Sequence, residues 1–278
     1  MASFSARNAI RRLREERNGA GPTTPAAAPT VSGAEPPQHT GAPDTETVGR
    51  WTKRDSRQLI TREIDLDLAG GSTVLRIAED AGGAWRVGTG ATVWDCSLAL
   101  LRFLAREERA MAELAAKDVV ELGAGCGVLG LGLAARGAGD GAAPRSVTLT
   151  ERALCLPLLE VNAEANRATL GDEKRLAVRE YSWGARDGVV PGGPYQIVLG
   201  ADLAYPSNCD AYDALATTIA RTLRDGGEGA VLYLAHEPRK PDVERAFFEL
   251  LASHGLDVRV VEKADDIALY RGVLRQDG

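Results

Sequence analysis

The stretch VVELGAGCGVLGLGLAARGA, residues 119–138, decides the fold of this 278-residue chain. It begins with a short apolar run that contains Glu121, and such a run is typical of a buried β-strand. It continues with the pattern Gly-x-Gly-x-x-Gly at Gly125, Gly127 and Gly130. Glycines at a strand-to-helix turn allow the backbone to approach a ligand with no Cβ in the way. The stretch therefore predicts a strand, a ligand-binding loop and a helix, in that order.

Strand and helix patterns alternate from this stretch to the end of the chain. Strand-like runs occupy residues 117–122, 145–151, 175–183, 195–202 and 229–237. Helical patterns occupy residues 127–137, 153–168, 208–224 and 240–255, with Pro157 near a first turn and Gly226-Gly227 as a stop signal. This alternation predicts an open, mostly parallel α/β sheet with helices on both faces. Two further strands, 256–263 and 267–274, follow each other directly and predict an antiparallel hairpin at the sheet edge.

The region before the glycine loop divides into a tail and the start of the domain. Residues 20–45 hold six of the thirteen prolines and few large apolar side chains, so residues 1–50 are predicted to be a disordered Pro/Ala-rich tail. Its basic segment, residues 3–17, suits an organelle-targeting signal apart from Glu15 and Glu16. The domain is predicted to span residues 51–278.

The domain is predicted to open with a β-hairpin and a helix. Residues 57–68 and 72–80 have strand patterns, and Gly70-Gly71 between them suits the turn. The next segment, residues 88–108, predicts a helix for which Thr92 is a suitable N-cap.

Composition excludes several classes of protein. The net charge of −6 and the pI of about 5.3 argue against a nucleic-acid binder, which usually has a basic face. The four cysteines are scattered and the three histidines are not at metal-ligand spacing, so we expect free thiols, a reducing compartment and no metal. The sequence contains no run of 18 apolar residues, so we predict no membrane span. We expect a cytoplasmic protein, with organelle targeting by the basic N-terminus as the alternative, and we take a monomer as the default.

An acidic residue ends the second strand of the alternating series, but it does not identify the ligand. Glu151 lies 26 residues after Gly125, where a carboxylate can accept hydrogen bonds from two ribose hydroxyls. Sites for NAD and for S-adenosylmethionine share this feature, and Gly-x-Gly-x-x-Gly alone is a weak signal. An NAD-dependent oxidoreductase therefore stays open, although no Tyr-x-x-x-Lys pair is apparent. A protein that binds without catalysis is a further alternative.

Four stretches together resemble one enzyme family. VVELGAGCG resembles the E/D-x-G-x-G-x-G loop of class I methyltransferases. With VWDCSLALLRFL (residues 93–104), YSWG (181–184) and ADLAY (201–205), residues 55–274 resemble the seven-β-strand protein-lysine methyltransferases marked by an Asp-x-x-Tyr motif, methyltransferase family 16. More loosely, HEPR, PDVERAFFELL and DDIALYRGVLR resemble the member that methylates the valosin-containing AAA ATPase.

The resemblance implies a Rossmann-like class I methyltransferase fold and S-adenosylmethionine as cofactor. The residues implied to bind the cofactor are Glu121, Gly123 and Gly125 at its methionine part, Glu151 at the ribose, Trp183 beside the adenine, and Trp94 and Ala201 nearby. Asp202 and Tyr205 are implied to lie where a target lysine enters, and Gly130 is expected to pack the helix against the sheet. The implied reaction is in-line methyl transfer, in a narrow channel, to the ε-amine of a lysine. Its substrate would be a protein such as an AAA ATPase, a chaperone or an elongation factor.

Each of these residues also has a plainer interpretation. Trp94 and Trp183 suit core aromatics, Asp202 suits the cap of a turn, and Tyr205 suits surface packing. His236, Glu237 and Arg239, after the fifth strand of the series, suit either substrate contacts or a solvated charge cluster. A small-molecule or nucleic-acid methyltransferase is the alternative within methyl transfer, although Asp-Leu-Ala-Tyr lacks the double proline of many amino-methylating nucleic-acid enzymes.

Overall fold

The computed structural model describes residues 59–68, 71–83, 85, 87–136, 143–170 and 175–275. The predicted tail, its basic segment and Gly70 of the predicted hairpin turn lie outside the described residues. Across the described ranges, no helix is long and apolar enough to cross a membrane.

A seven-stranded sheet forms the centre of the fold. Its strands are β3 (Asp118–Leu122), β4 (Ser146–Glu151), β5 (Leu176–Glu180), β6 (Ile197–Ala201), β7 (Val231–His236), β8 (Leu256–Ala264) and β9 (Ile267–Leu274). Their order is β5-β4-β3-β6-β7-β9-β8, with β3 to β7 parallel and β9 antiparallel to both neighbours. The mostly parallel sheet with an antiparallel C-terminal pair is thus confirmed.

The strand order creates a crevice at one edge of the sheet. The chain builds outward from β3 through β4 to β5 and then returns to place β6 on the other side of β3. In open α/β sheets, ligands bind outside the carboxyl ends of the strands at such a reversal of order. The ends of β3 and β6 therefore mark the expected site.

Helices cover both faces of the sheet. They are α1 (Asp95–Arg106), α2 (Glu108–Leu114), α3 (Val128–Ala135), α4 (Leu156–Ala165), α5 (Arg167–Leu170), α6 (Tyr212–Gly226) and α7 (Pro241–Ser253). Residues of α1 to α4 share one apolar core, and those of α6 and α7 share the other. As predicted, Pro157 lies in the first turn of α4 and Gly227 follows the end of α6. Helix α3 is apolar on all sides because it is buried along nearly its whole length.

The predicted N-terminal hairpin is attached to the core by two asparagines. It consists of β1 (Ile60–Leu68) and β2 (Gly71–Glu79), paired antiparallel. The side chain of Asn162 in α4 accepts a hydrogen bond from the Ala78 N–H (2.8 Å) and donates to the carbonyl oxygens of Ala78 and Cys126 (3.0 Å each). Asn166, one turn later, bonds the backbone of Arg76 in the same way. The hairpin is thereby fixed against the glycine loop.

The start of α1 differs from the prediction. The helix begins at Asp95 with Trp94 at the N-cap position and no side-chain cap, so the expectation that Thr92 caps it is wrong. A short 3-10 turn, Gly88–Ala91, precedes Thr92, which is itself extended. The Val93 N–H is satisfied instead by the carboxylate of Glu79 in the hairpin (2.6 Å).

Candidate cofactor and substrate site

A cavity of about 600 Å³ lies at the carboxyl ends of β3, β4 and β6. That volume is within the range of roughly 300–1,000 Å³ typical of small-molecule sites. Eight predicted site residues line it: Trp94, Gly123, Gly125, Glu151, Trp183, Ala201, Asp202 and Tyr205. Residues more than 100 positions apart in the sequence therefore meet at one site. Of the nine predicted site residues, Glu121 is the one that does not line the cavity.

The glycine loop forms a wall of bare backbone. Gly123 and Gly125 have φ angles of 61° and 55°, a left-handed conformation that favours glycine. A Cβ on Gly123 would lie 3.0 Å from Leu203 Cδ2 and 3.2 Å from Trp183 Cζ2. A Cβ on Gly125 would lie 3.3 Å from the Gly90 carbonyl oxygen. A side chain at either position would crowd the wall of the cavity, so the loop requires glycine.

Glu121 is placed behind this loop rather than in the cavity. Its residue is 1% exposed, and its Oε2 accepts a hydrogen bond from the Gly130 N–H (2.9 Å) in the first turn of α3. Burial raises the pKa of Glu121 to about 8, with a smaller contribution from the charge of Glu151 and an opposing one from the Gly130 hydrogen bond. The structure does not place Glu121 among the residues that line the cavity, and its contact with the methionine part of the cofactor stays a prediction. Glu121 ties the glycine loop to α3.

Gly130 packs α3 against the sheet, as expected. A Cβ at this position would lie 2.0 Å from Leu149 Cδ2 and 2.6 Å from Glu121 Oε2. The N–H of Gly130 is one of the first-turn amides that a dinucleotide site directs at its pyrophosphate. Here that amide is bonded to a buried carboxyl group, which argues against a phosphate ligand.

Glu151 ends β4 with its carboxyl group at the cavity. The residue is buried, and its Oε2 accepts a hydrogen bond from the N–H of Arg152 (2.5 Å). Burial raises the pKa of Glu151, although the backbone hydrogen bond from Arg152 opposes the shift. A buried acceptor at this place suits a ligand that donates two adjacent hydroxyl groups.

The two tryptophans occupy different depths. Trp183 follows β5, is half-buried and lies against Gly123, so its ring forms part of the inner wall. Trp94 is 38% exposed and its Nε1–H donates to the carbonyl oxygen of Thr89 (2.8 Å). Trp94 is therefore a rim residue rather than a core aromatic.

Asp202 is the most constrained residue of the site. It follows β6, is buried, and its N–H donates to the Ala235 carbonyl oxygen of β7 (2.8 Å). Its φ of 54° is unusual for a residue other than glycine and costs on the order of 1 kcal/mol. Its carboxylate lies 2.7 Å from Arg239 Nη1. Burial opposes ionisation, but the nearby His236 and Arg239 outweigh it and lower the pKa of Asp202.

Tyr205 stands across the cavity mouth from the 3-10 turn Gly88–Ala91. Its hydroxyl lies 3.2 Å from Thr89 Oγ1, the residue whose carbonyl oxygen holds Trp94. It also precedes the 3-10 helix Pro206–Ala211 as its N-cap, so Asp202 does not cap that turn. Both polar residues of the Asp-x-x-Tyr motif thus line the cavity after the end of β6.

Two buried residues lie behind Asp202. The sequence suggested a substrate contact or a solvated charge cluster for His236, which at 3% exposed is not solvated, and it suggested no role for Glu244. His236 ends β7, with Nδ1 3.4 Å from Asp202 Oδ1 and Nε2 3.3 Å from Glu244 Oε2. Glu244 of α7 accepts hydrogen bonds on Oε1 from the N–H groups of Arg239 and Lys240 (2.9 Å each). The signal in the sequence was a glutamate in the first turn of an otherwise apolar helix face, where a carboxylate satisfies free amides. Glu244 fixes the loop that carries Arg239.

The cysteines of the site are structural. All four are buried, and none forms a disulfide. Burial raises the pKa of Cys126, inside the glycine loop, to about 12, so its thiol is protonated and fills space. Among the residues that the structure describes, no group of three His, Cys, Asp or Glu side chains is arranged to hold a metal.

These features fit S-adenosylmethionine. The ligand has no phosphate and needs a close backbone wall for its methionine part, an acceptor for its ribose and an apolar surface for its adenine. The glycine loop, Glu151 and Trp183 provide these three elements in one cavity. The fold and the site together define a class I S-adenosylmethionine-dependent methyltransferase.

Comparison with known proteins identifies the family. Residues 71–254 match the lysine methyltransferase family model. The chain is 32% identical over 200 residues to protein N-lysine methyltransferase METTL21A of Danio rerio, covering 72% of this chain and 83% of that protein. It is 31% identical over 193 residues to EEF1A lysine methyltransferase 3 of Mus musculus, covering 69% and 75%. The chain belongs to the lysine methyltransferase family.

A solved structure supports the fold. A 16S rRNA N2 methyltransferase of T. Thermophilus, solved with S-adenosylmethionine and guanosine, superposes with a TM-score of 0.50 at 19% identity, covering 77% of this chain and 51% of that one. The predictions of a Rossmann-like class I methyltransferase fold, S-adenosylmethionine as cofactor and protein-lysine methyltransferase activity are confirmed.

Proposed function

We propose that this enzyme methylates the ε-amine of a lysine in a folded protein substrate, with cofactor and lysine meeting in the 600 Å³ cavity. One observation carries the proposal. Gly123, Gly125 and Glu151 line the part of the cavity at β3 and β4, while Asp202 and Tyr205 line the part at β6. A site divided in this way holds a nucleoside-like ligand on one side and admits a side chain from the other.

The cofactor half of the cavity comprises Gly123, Gly125, Glu151 and Trp183. The bare backbone of the two glycines would hold the methionine part, the Glu151 carboxylate would accept hydrogen bonds from the ribose hydroxyls, and Trp183 would contact the adenine. Trp94 closes the rim and Ala201 contributes backbone at the end of β6. When bound, S-adenosylmethionine supplies an activated methyl group.

The substrate half of the cavity comprises Asp202, Tyr205 and the neighbouring Arg239. Asp202 and Tyr205 orient the lysine nitrogen by hydrogen bonds, and orientation in line with the methyl–sulfur bond is the main catalytic contribution such a site makes. The lysine must react as a neutral amine, whereas its usual pKa is about 10.4. Entry into a largely apolar cavity disfavours the charged form and lowers that pKa.

The substrate is proposed to be an elongation factor, a chaperone or an AAA ATPase, modified by a monomeric enzyme in the cytoplasm. The name of one similar protein specifies EEF1A as its target, which supports the first of these classes. Four buried cysteines, none of them in a disulfide, suit a reducing compartment.

A labelling experiment tests the proposal. The full chain is incubated with tritium-labelled S-adenosylmethionine and an extract from cells that lack the protein, and labelled species are separated and identified. We expect label in one or a few proteins, removed by protease, resistant to nuclease and located on lysine by mass spectrometry. Label that survives protease and is removed by nuclease would instead make the substrate a nucleic acid.

A further inference from the structure

Arg239 occupies a fixed position at the entrance to the substrate half. Its Nη1 donates to Asp202 Oδ1 (2.9 Å) and its Nη2 to Glu237 Oε2 (2.6 Å). Its guanidinium carbon lies 5.6 Å from the centroid of the Trp94 ring, and the side chain is only one-third exposed. Most surface arginines pair loosely, but this one bonds two carboxyl groups, lies over the Trp94 ring and lines the cavity.

The backbone of Arg239 is fixed as well. Its N–H and that of Lys240 both donate to Glu244, whose residue is 3% exposed. Because main chain and side chain are both held, the guanidinium is preorganised at Asp202 before any substrate arrives.

The charge of Arg239 bears on the protonation of the substrate. An unpaired, buried carboxylate next to a lysine stabilises the ammonium form and so opposes the reaction, which needs the free amine. A guanidinium already bonded to that carboxylate offsets its charge, and its own positive charge disfavours a second cation nearby. The pair still leaves oxygen lone pairs on Asp202 that accept a hydrogen bond from a neutral amine.

We propose that Arg239 is a positioning residue that neutralises Asp202, so that the target lysine binds as a free amine after losing its proton to solvent. This deepens the proposed function and rests on it. Arg239 acts through Asp202 and through the local charge, and it does not contact the methyl group.

Other charged and titratable groups face this pair from every neighbouring element. They are Glu237 in the loop after β7, His236 in β7, Glu244 in α7, Tyr212 in α6 and Cys96 in α1. Arg239 bonds the carboxyl groups of both Asp202 and Glu237, so its removal takes away the positive charge between them and makes the entrance more negative. The bound lysine would then retain its proton to a higher pH.

The test is the pH dependence of methyl transfer by full-length variants. The initial rate of tritium incorporation from saturating S-adenosylmethionine is measured from pH 6 to 10 in the protein that the wild-type enzyme labels in the extract. For Arg239→Gln we expect the acidic limb of the profile to move up by about one pH unit, which is about tenfold in rate at pH 7 and is recovered near pH 10. Arg239→Lys keeps the positive charge and should keep the acidic limb near its wild-type position.

Controls separate the possible failures. Arg245→Gln is the matched control. Arg245 of α7 pairs with Asp242 and its side chain is 62% exposed, so the pH profile of this variant should be that of the wild type. The affinity of Arg239→Gln for S-adenosylmethionine is measured by calorimetry, and an affinity equal to that of the wild type shows that the variant is folded. A rate that falls equally at every pH, with the acidic limb unmoved, overturns the inference but leaves the proposed function standing. No labelled protein with the wild-type enzyme at any pH overturns both.

Discussion

The two halves of the cavity bury their carboxyl groups to a similar degree but shift the pKa values in opposite directions. In the cofactor half, burial raises the pKa of Glu151, and just behind the glycine loop it raises the pKa of Glu121 to about 8. In the substrate half, Asp202 is equally buried, yet His236 and Arg239 lower its pKa despite that burial. Depth alone therefore does not set the direction of a carboxyl group's pKa shift here, because hydrogen bonds and charge from neighbouring side chains outweigh burial at Asp202.

The halves also differ in how they hold their backbone. The cofactor half uses glycine wherever φ is positive in its loop. The substrate half places Asp202, which has a side chain, in the same left-handed region and holds it by a ladder bond to β7 and by Arg239. Strain of this kind persists only where the surroundings over-determine the conformation. The substrate half is thus held by side-chain contacts, and the cofactor half by close packing of backbone.

The largest expected effect tests the packing of the cofactor half. Gly130→Ala would place a Cβ 2.0 Å from Leu149 Cδ2, in the core beneath the loop, and would displace the carboxyl group of Glu121. We expect the free energy of unfolding to fall by about 2 kcal/mol, as is typical of overpacking, when measured by urea denaturation. Gly82→Ala is the matched control, because nothing lies within 4 Å of its added Cβ. Equal stability of the two variants would show that the loop is not closely packed.

The next effect tests the raised pKa of Glu121. The folded state keeps a proton on Glu121 up to about pH 8, whereas the unfolded chain loses it near pH 4.5. The stability that the folded protein gains by keeping this proton is therefore complete below about pH 4.5 and is lost as the pH rises towards 8. Relative to Glu121→Gln, the wild-type free energy of unfolding should fall by about 1.4 kcal/mol per pH unit between pH 6 and 7.

Urea denaturation at a series of pH values measures this slope. The exposed Glu228→Gln should leave it unchanged. Parallel wild-type and Glu121→Gln curves would mean that Glu121 is ionised in the folded protein. The effect of Asp202 on stability has the opposite pH dependence, because its pKa is lowered in the folded protein. Its ionised carboxylate stabilises the fold above the usual pKa range of aspartate, and that stabilisation is lost as the pH falls.

Local patterns in the sequence predicted most of the fold. The strand runs, the glycine loop and the closing strand pair gave the sheet, since buried parallel strands are continuous apolar runs and helices follow them. Eight of the nine predicted site residues line the cavity, because the carboxyl ends of parallel strands meet at one edge. Glu121 does not line it, and the signal was its place within β3, because a side chain there leaves on a face of the sheet and not at that edge.

The contacts that fix the site were beyond local patterns. Asn162 bonds Ala78 across 84 residues, and Arg239 bonds Asp202 across 37. Such pairings depend on the tertiary arrangement, although Asn162 and Asn166 at a spacing of four on an apolar helix do indicate a buried polar role. Thr92 had the right chemistry for an N-cap, but the 3-10 turn before it shifted the start of the helix.

The division of the cavity into a cofactor half and a substrate half is tested most directly by calorimetric titration of S-adenosylmethionine into the wild type, Glu151→Gln and Asp202→Asn. Glu151→Gln should weaken binding about tenfold, because it removes the charge from an acceptor of the ribose hydroxyls. Asp202→Asn should leave the affinity within about twofold of the wild type, because its carboxylate serves the lysine. Equal weakening by both variants, or normal binding by Glu151→Gln, would contradict the division.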